Sequence, residues 1–598
     1  MNDLYGHSQY VIAVAFSLIL YAVLGLCILQ ISIGRKIEEK LDYLLLSPAI
    51  GVASLSISSS VMGKWGIPVS SRNLFFLYFF LIVTAVITSW RNKRNVIANW
   101  VTTSHLRRAG PLLVVAVLVG LSPYYALMLH HDFLPGFGTS ATWRNNDLGS
   151  YLQMASNVVH SGFNNAGYID GWNAGAQASF DHPAAQSFFA ASSQLLFRKP
   201  FQMGIVVVST LLASLFMAGV VVVRRISHRI PPFWAVITSA AIVINPAIFG
   251  MVANFFFAQL LAICLTMCAF ALGVLSLQKV WSWQSMFLMS VVSFAIFLAS
   301  PEIAVILLPL ILLASALHLP REVWLKTSLK LLCSYSLFGV LLRILSGSLL
   351  LDQLDVLHRN TGAGVAGWEA NLLSPAALLG FAPTQFYGPY SSGTRILDVL
   401  VILFTVVVIF TMTMKKRINS KACSFLCIFL VPVILAVLKW GSTGYQTWKL
   451  ITTVVPFVGV TLWTLGKSED TVTNARIRPY ISVLVIGATV GWSGYLWRDT
   501  TSSSFINSDA AGVSLSVQMK KQSGVNIFVA PYFETMALSV ISERPTQMMP
   551  PTYQFPNGQS LKYGCTLTTK ERVKDLPNAG KIIYQQGDYV LVGTPKCD

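Results

Sequence analysis

Apolar residues run in stretches of about 18 or more along most of this chain, long enough to cross a hydrocarbon core of roughly 30 Å. Short polar breaks separate them. The pattern predicts about fourteen membrane-spanning helices, near residues 10–33, 43–62, 73–90, 110–129, 202–223, 232–249, 256–277, 282–299, 302–318, 327–349, 395–414, 421–438, 450–466 and 480–497. Three stretches escape it: 130–201, 350–394 and 498–598. Within the first, apolar residues fall at 148, 151, 152, 155, 158 and 159. That is the i, i+3, i+4 spacing of an amphipathic helix. Asp147 is placed to cap its start and Gly162 to end it as C′. The pattern predicts a helix lying along the membrane surface with its Leu/Tyr/Val side down. A second helix is predicted from Pro183, with Pro at its first position and Phe188, Phe189, Leu195 and Leu196 on its apolar side. The last stretch alternates short β-prone runs, Val525–Val529 and Tyr589–Val592, with turn residues. It predicts a small α/β or β-rich appendage.

Composition agrees with a polytopic, mainly α-helical membrane protein. Soluble proteins carry about a quarter charged residues, whereas here 11% are charged and 54% hydrophobic. The net charge of +18 is distributed in alternate short loops. Arg35/Lys36/Lys40, Arg91/Lys93/Arg94/Arg107/Arg108, Arg224/Arg225/Arg229, Arg321/Lys326/Lys330 and Lys415/Lys416/Arg417 all fall on one side of the predicted spans. That side is the cytoplasm by the positive-inside rule, so the charge reports topology, not nucleic-acid binding. The three long polar stretches and both termini then face outward. The run starting near Tyr10 lacks a basic n-region or a small-residue cleavage site, and is expected to be a retained span. The organisation expected is three spans in 1–109, a core in 110–497 with external loops 130–201 and 350–394, and an outward C-terminal domain in 498–598. Six of the eight cysteines lie in or beside apolar runs; Cys565 and Cys597 are the two in the outward segment and are candidates for a disulfide.

The first external stretch holds Asp132, Asp147, Asp170 and Asp181, His131, His160 and His182, and the rings of Trp143, Tyr168, Trp172 and Phe180. Asp147, Tyr151, Ala155 and Gly162, spaced D-x3-Y-x3-A-x6-G, resemble the first external loop of the GT-C glycosyltransferases. These polytopic enzymes take a sugar from a polyprenyl-phosphate carrier. "DHPAAQSFFAA", with Pro183, is similar to the opening of their second surface helix, and span 110–129 to their first core helix. The resemblance covers mainly residues 110–200. It implies a catalytic base at Asp147, with Asp181 as the alternative, and a polyprenyl-phosphate sugar as donor. The implied acceptor is a cell-envelope glycan, a glycolipid or a secreted protein such as a pilin. Arabinofuranosyl- or mannosyl-transferring envelope enzymes are the subfamilies it suggests, in a bacterial inner membrane with the site facing outward. Two departures stand out: Leu148 follows Asp147 where the family often has a second acidic residue, and three spans precede the core.

Transfer from a lipid phosphate also needs cations for the departing phosphate. Lys449, opening a span beside Tyr445 and Trp448, is either such a cation or a snorkelling lysine in an aromatic belt. Arg343 sits in the outward half of an apolar run, where a charge needs a partner or a wet cavity. Glu302, at a similar depth, is its expected ion-pair partner if Arg343 does not bind phosphate. Arg144 could hold phosphate or orient Asp147; His182 could contact substrate or cap the helix at Pro183. Tyr151, Trp143 and Trp172 are candidates for contact with sugar or carrier. The loop 352–380, with Asp355, His358, Arg359, Trp368 and Glu369, is expected to cover the site or simply connect spans. No spacing compels a metal site, although scattered carboxylates could hold a divalent cation. Two other functions compete. A polysaccharide polymerase or ligase would centre on His358 and Arg359, and a lipid-linked sugar transporter would carry paired charges near mid-membrane.

Overall fold

The computed structural model describes residues 7–33, 40–91, 103–128, 147–163, 169–170, 182–226, 232–253, 255–276, 283–319, 321–361, 374–378, 392–414, 419–440 and 445–465, and in the C-terminal segment 519, 522–529, 538–539, 542, 544–548, 561, 563–576, 580–593 and 597. Helices α1 (His7–Ile33), α2 (Lys40–Lys64), α3 (Ser71–Arg91) and α4 (Thr103–Met128) lead to the short outward helices α5 (Asp147–Ser161) and α6 (Pro183–Leu195). Next come α7 (Gly204–Ile226), α8 (Pro232–Val243), α9 (Pro246–Ala253), α10 (Phe257–Ser276), α11 (Trp283–Ala299) and α12 (Pro301–Ala316). After these follow α13 (Arg321–Ser346), α14 (Leu349–Thr361), α15 (Ser392–Met414), α16 (Ser420–Trp440) and α17 (Tyr445–Trp463). Among the described residues, α1, α2, α3, α7, α10 and α13 are long and apolar enough to cross a membrane. The bent pair α8–α9 adds a seventh candidate, and α4, α11, α12, α16 and α17 contain shorter apolar helices. The protein is thus a polytopic helical bundle.

Burial divides these helices by their surroundings. The apolar window of α10 is wholly buried, so it forms the middle of the bundle. By contrast, α3 exposes Phe75, Phe76, Phe79, Phe80 and Trp90, and α13 exposes Leu325, Leu329, Leu332 and Ile344. Large contiguous apolar faces of this kind are rare on water-facing monomers and suit contact with lipid. In the lipid phase close packing replaces the hydrophobic effect between helices, and small residues permit it. α1 and α2 show this directly. A Cβ at Gly25 would lie 1.8 Å from the Ser47 carbonyl oxygen, and one at Gly51 would lie 2.0 Å from that of Tyr21.

Contacts at the helix ends sort into two sets. At one end Arg224 and Arg225 of α7 bind Asp42 of α2, and Asn419 bonds to the carbonyls of Ile226 and, through its backbone, Leu465. At the other end the α2–α3 turn, α5, α6, α14 and the starts of α12 and α17 meet. There Val69 N bonds Val158 O, Ser71 Oγ bonds Gln194 O, Lys64 pairs with Asp352, and Lys449 pairs with Glu302. The first set coincides with the loops expected to be cytoplasmic, and the second with those expected outside.

Two expectations need correction. The run 232–249 is not one straight helix: α8 and α9 meet at 49°. Asn245 Oδ1 accepts from Ala247 N at 2.8 Å, and Pro246 opens the new helix, a stop-and-restart written in two adjacent residues. The polar side of helix α5 is also not open to water. Its supposed outer positions Gln153, Ser156 and Asn157 are buried together with Tyr151, Leu152, Ala155 and Val158. Gln153 Nε2 donates to Ser539 Oγ at 2.9 Å, so the C-terminal segment covers the face expected to meet water.

That segment forms a six-stranded mixed sheet, with strands β1 (Ile169–Asp170), β2 (Val525–Phe528), β3 (Thr546–Met548), β4 (Cys565–Thr569), β5 (Lys581–Gln586) and β6 (Tyr589–Gly593) in the order β1-β3-β2-β4-β6-β5. β1, β3, β2 and β4 run parallel, while β4, β6 and β5 are antiparallel. The edge strand β1 comes from the first external stretch, so chain segments some 375 residues apart share one sheet. Cys565 and Cys597 are joined in a disulfide, with Cα atoms 5.0 Å apart. Such a bond persists in oxidising compartments.

Candidate active site at the outward end

α5 starts at Asp147, and Gly162 follows its end at φ +66°. A side chain at Gly162 would be strained at that φ, and its Cβ would lie 2.8 Å from the Gly63 carbonyl oxygen. Only glycine therefore lets the end of α5 seat on the α2–α3 turn, where Phe163 N bonds Gly63 O at 2.7 Å. The C-terminal end of α6 reaches the same turn through Gln194 and Ser71. Both C-terminal ends are thus pinned at that turn. The Asp147 side chain is outside the described part of the structure.

α6 is buried on all sides along Pro183–Ser193. Its serines bond back to helix carbonyls and across to neighbours: Ser192 accepts from Tyr21 Oη at 2.6 Å, and Ser187 bonds Ser60 at 2.8 Å. The helices preceding residue 110 thus hold α6 in place. His182 occupies the N-cap position of α6 but makes no side-chain cap bond. Its Nδ1 lies 2.9 Å from the Ala299 carbonyl oxygen at the end of α11. A carbonyl only accepts, so this nitrogen carries a proton.

Glu302 lies in the first turn of α12, three residues beyond Ala299, and there Lys449 Nζ reaches its Oε1 at 2.5 Å. Both side chains are only 13% exposed. This overturns the expected Glu302–Arg343 pair: Arg343 lies exposed in the last turn of α13, and Glu302 takes the lysine of α17 instead. Gln259 of α10 fixes the start of α17, because its Nε2 contacts Lys449 O at 2.9 Å, Thr452 Oγ1 at 3.0 Å and Thr453 Oγ1 at 2.7 Å. Trp448 is no belt residue either; it is buried with its ring 5.5 Å from that of Phe256.

Tyr151 is buried in an aromatic nest, its ring 5.4 Å from Phe257 and 6.1 Å from Phe255. Phe188 and Phe189 join the same nest through Phe257. Phe255 holds φ +53°, a conformation costing an L-residue about 1–3 kcal/mol. The nest therefore forces strain at the break between α9 and α10. His358 is exposed on α14, whose Asp352 pairs with Lys64 at 2.9 Å. Arg144, Trp143, Trp172 and Asp181 lie outside the described residues, as does the side chain of Arg359. Among the described residues no three of His, Cys, Asp and Glu gather as a metal site would.

A bundle with two short helices and a cluster of charges at one end matches a solved structure, that of ArnT from Cupriavidus metallidurans bound to undecaprenyl phosphate. The TM-score is 0.50 at 12% identity, over 81% of this chain and 98% of that one. The fold is that of the GT-C glycosyltransferases. Weaker likenesses include the Archaeoglobus fulgidus oligosaccharyltransferase in complex with Zn and sulfate, with TM-score 0.40 and 11% identity over 80% of this chain and 73% of that one. The mycobacterial arabinofuranosyltransferase AftD gives TM-score 0.44 and 11% identity, over 80% of this chain and 41% of that one. No family model matches the sequence, and no curated protein does.

Within this GT-C fold, three residues singled out in sequence, His182, Glu302 and Lys449, come from separate elements to one place. Two others were missed there. Gln259 stands in the apolar run "FFFAQLLAICL", where an amide is costly without partners, and that cost was its signal. Gln186 lies one turn after His182 on the same helix face, and its neighbours in sequence give no sign of it.

Proposed function

We propose that this protein is a membrane glycosyltransferase that moves a sugar from a polyprenyl-phosphate carrier to an acceptor on the outward side. The observation that carries this reading is the meeting of His182, Glu302 and Lys449 at one end of a GT-C bundle, the end at which the Asp147 helix is also anchored. Asp147 is the general base: it takes the proton of an acceptor hydroxyl as that oxygen attacks C1 of the sugar. The bond from C1 to the phosphate oxygen breaks on the opposite face, inverting C1, and the electron pair leaves with the polyprenyl phosphate. Asp181 is the alternative base. The departing phosphate is met by Lys449, His182 and Arg144. An ammonium has three donors, enough to hold Glu302 and a phosphate oxygen at once. Tyr151, Trp143 and Trp172 flank the sugar or carrier, and the segment with His358 and Arg359 covers them.

On this reading the shorter apolar helices, α15 and the apolar run 480–497, which lies outside the described residues, complete about fourteen spans. The protein sits in a bacterial inner membrane with its site facing the periplasm or exterior. The sugar is arabinofuranose or mannose, and the acceptor an envelope glycan, a glycolipid or a secreted protein. Asp147→Asn decides the matter: the purified variant should bind donor as before while transfer falls by roughly 10²–10⁴-fold. Full transfer by that variant would sink the assignment. Loss confined to His358→Ala or Arg359→Ala would instead favour a polymerase.

A further inference from the structure

Among the described residues, the buried oxygen atoms at this end of the bundle without a hydrogen-bond partner include Gln259 Oε1 and, around the start of α12, Glu302 Oε2, Ser300 Oγ and Gln186 Oε1. Ser300 and Gln186 are fully buried residues, 0% and 1% exposed. The last three belong to one junction. Ser300 links α11 to α12, two residues before Glu302 and next to Ala299, whose carbonyl takes His182. Gln186 is four residues after His182, its backbone N–H bonded to the His182 carbonyl oxygen at 3.2 Å in the first turn of α6. Buried polar atoms are almost always paired, because an unpaired one keeps its full desolvation cost. Three together at the start of α12 mark a place built for something that supplies donors.

The chemistry of the set narrows the occupant. A carboxylate oxygen and an amide oxygen only accept, and a serine hydroxyl can accept as well. A phosphate ester anion offers acceptors alone and cannot satisfy them. A sugar ring presents several O–H donors along one edge, and that is what a group of neighbouring acceptors matches. Lys449 on Oε1 compensates the charge of Glu302, so Oε2 is a strong acceptor within a paired, not a bare, carboxylate.

We propose that Glu302, Ser300 and Gln186 form the subsite for the glycosyl group of the donor, taking hydrogen bonds from its hydroxyls and so reading which sugar the carrier bears. This rests on the donor reading above and divides the site by chemistry, with cations for the phosphate and acceptors for the ring.

The test is a pair of binding titrations on the full-length protein in nanodiscs. One ligand is polyprenyl-phosphate mannose or polyprenyl-phosphate arabinofuranose, whichever the unaltered protein binds; the other is bare polyprenyl phosphate. The variants are Gln186→Met and Ser300→Ala, which leave the Lys449–Glu302 pair in place. Each should weaken binding of the glycosylated carrier by about tenfold, the worth of one well-made hydrogen bond. Binding of the bare carrier should not change. Thermal stability should stay level or rise, since an unpaired acceptor has been removed. Equal affinity of variants and unaltered protein for both ligands overturns the proposal and leaves these atoms as hosts for a buried water only. Equal weakening toward both ligands overturns it too, as a general packing effect. An unaltered protein that binds no glycosylated carrier defeats the donor reading itself, and the subsite with it.

Discussion

The two ends of the bundle each hold a buried carboxylate paired with a cation, and they are built differently. At the end expected to face the cytoplasm, Asp42 is 2% exposed and both its oxygens are occupied. Arg224 Nη1 donates to Oδ1 at 2.9 Å, and Arg225 Nε to Oδ2 at 2.6 Å, with Arg225 Nη2 also on Oδ2. At the outward end Glu302 is held through Oε1 by a single lysine, and Oε2 is bare. Two guanidinium forks leave a carboxylate nothing further to do, and that pair staples α2 to α7. One point-charge ammonium leaves it unfinished. A fully satisfied ion cluster speaks for architecture, and a half-satisfied one for a ligand.

The largest effect that should separate the two ends is on stability. Asp42→Ala removes the carboxylate that binds two partly exposed guanidinium groups and should lower unfolding free energy by about 3 kcal/mol, the low end for a broken buried pair, read by thermal or denaturant melts in detergent. A loss of donor binding in protein that melts normally would break the comparison. Next is a double-mutant cycle at the outward end. Lys449→Ala alone should destabilise, by about 2 kcal/mol, because Glu302 is then buried without compensation. Adding Glu302→Ala should restore most of that loss while donor use stays at least tenfold impaired, the mark of a pair kept for function. Recovery of donor use along with stability would make this pair a staple like the other. The smallest effect belongs to Gln259→Leu. It removes the bonds that fix the start of α17, and KM for the donor should rise about three- to tenfold while kcat changes little. A matching fall in kcat with unchanged KM would assign Gln259 to the chemical step instead.

Much of this architecture can be read locally. The apolar runs place the helices within a few residues, since lipid admits only backbone that bonds to itself. Asp147 and Gly162 bound α5, and Pro183 opens α6, because capping and left-handed φ are properties of single residues. The strands at Val525 and Tyr589 show as β-prone runs between turn residues. The break at Asn245–Pro246 is written just as locally, although hydropathy continues across it.

Partner choice was not legible. Arg343 and Glu302 have similar depth along their runs, yet the rotation of α13 turns Arg343 outward and Lys449 arrives from a helix some 150 residues away. The polar side of α5 looked like a water-facing side because periodicity reports only that one face differs from the other. Whether Gln153 meets solvent or Ser539 depends on a segment nearly 400 residues later. The sequence by itself determined where most of the helices lie, which charged helix ends gather together, and that a carboxylate heads a short helix. Those features depend on backbone geometry and on transfer between water and lipid, which act residue by residue. Only the tertiary structure decided that His182, Glu302 and Lys449 share a site, that Asp42 is closed and that Glu302 is open. Those outcomes depend on distances between helices, which no local pattern encodes.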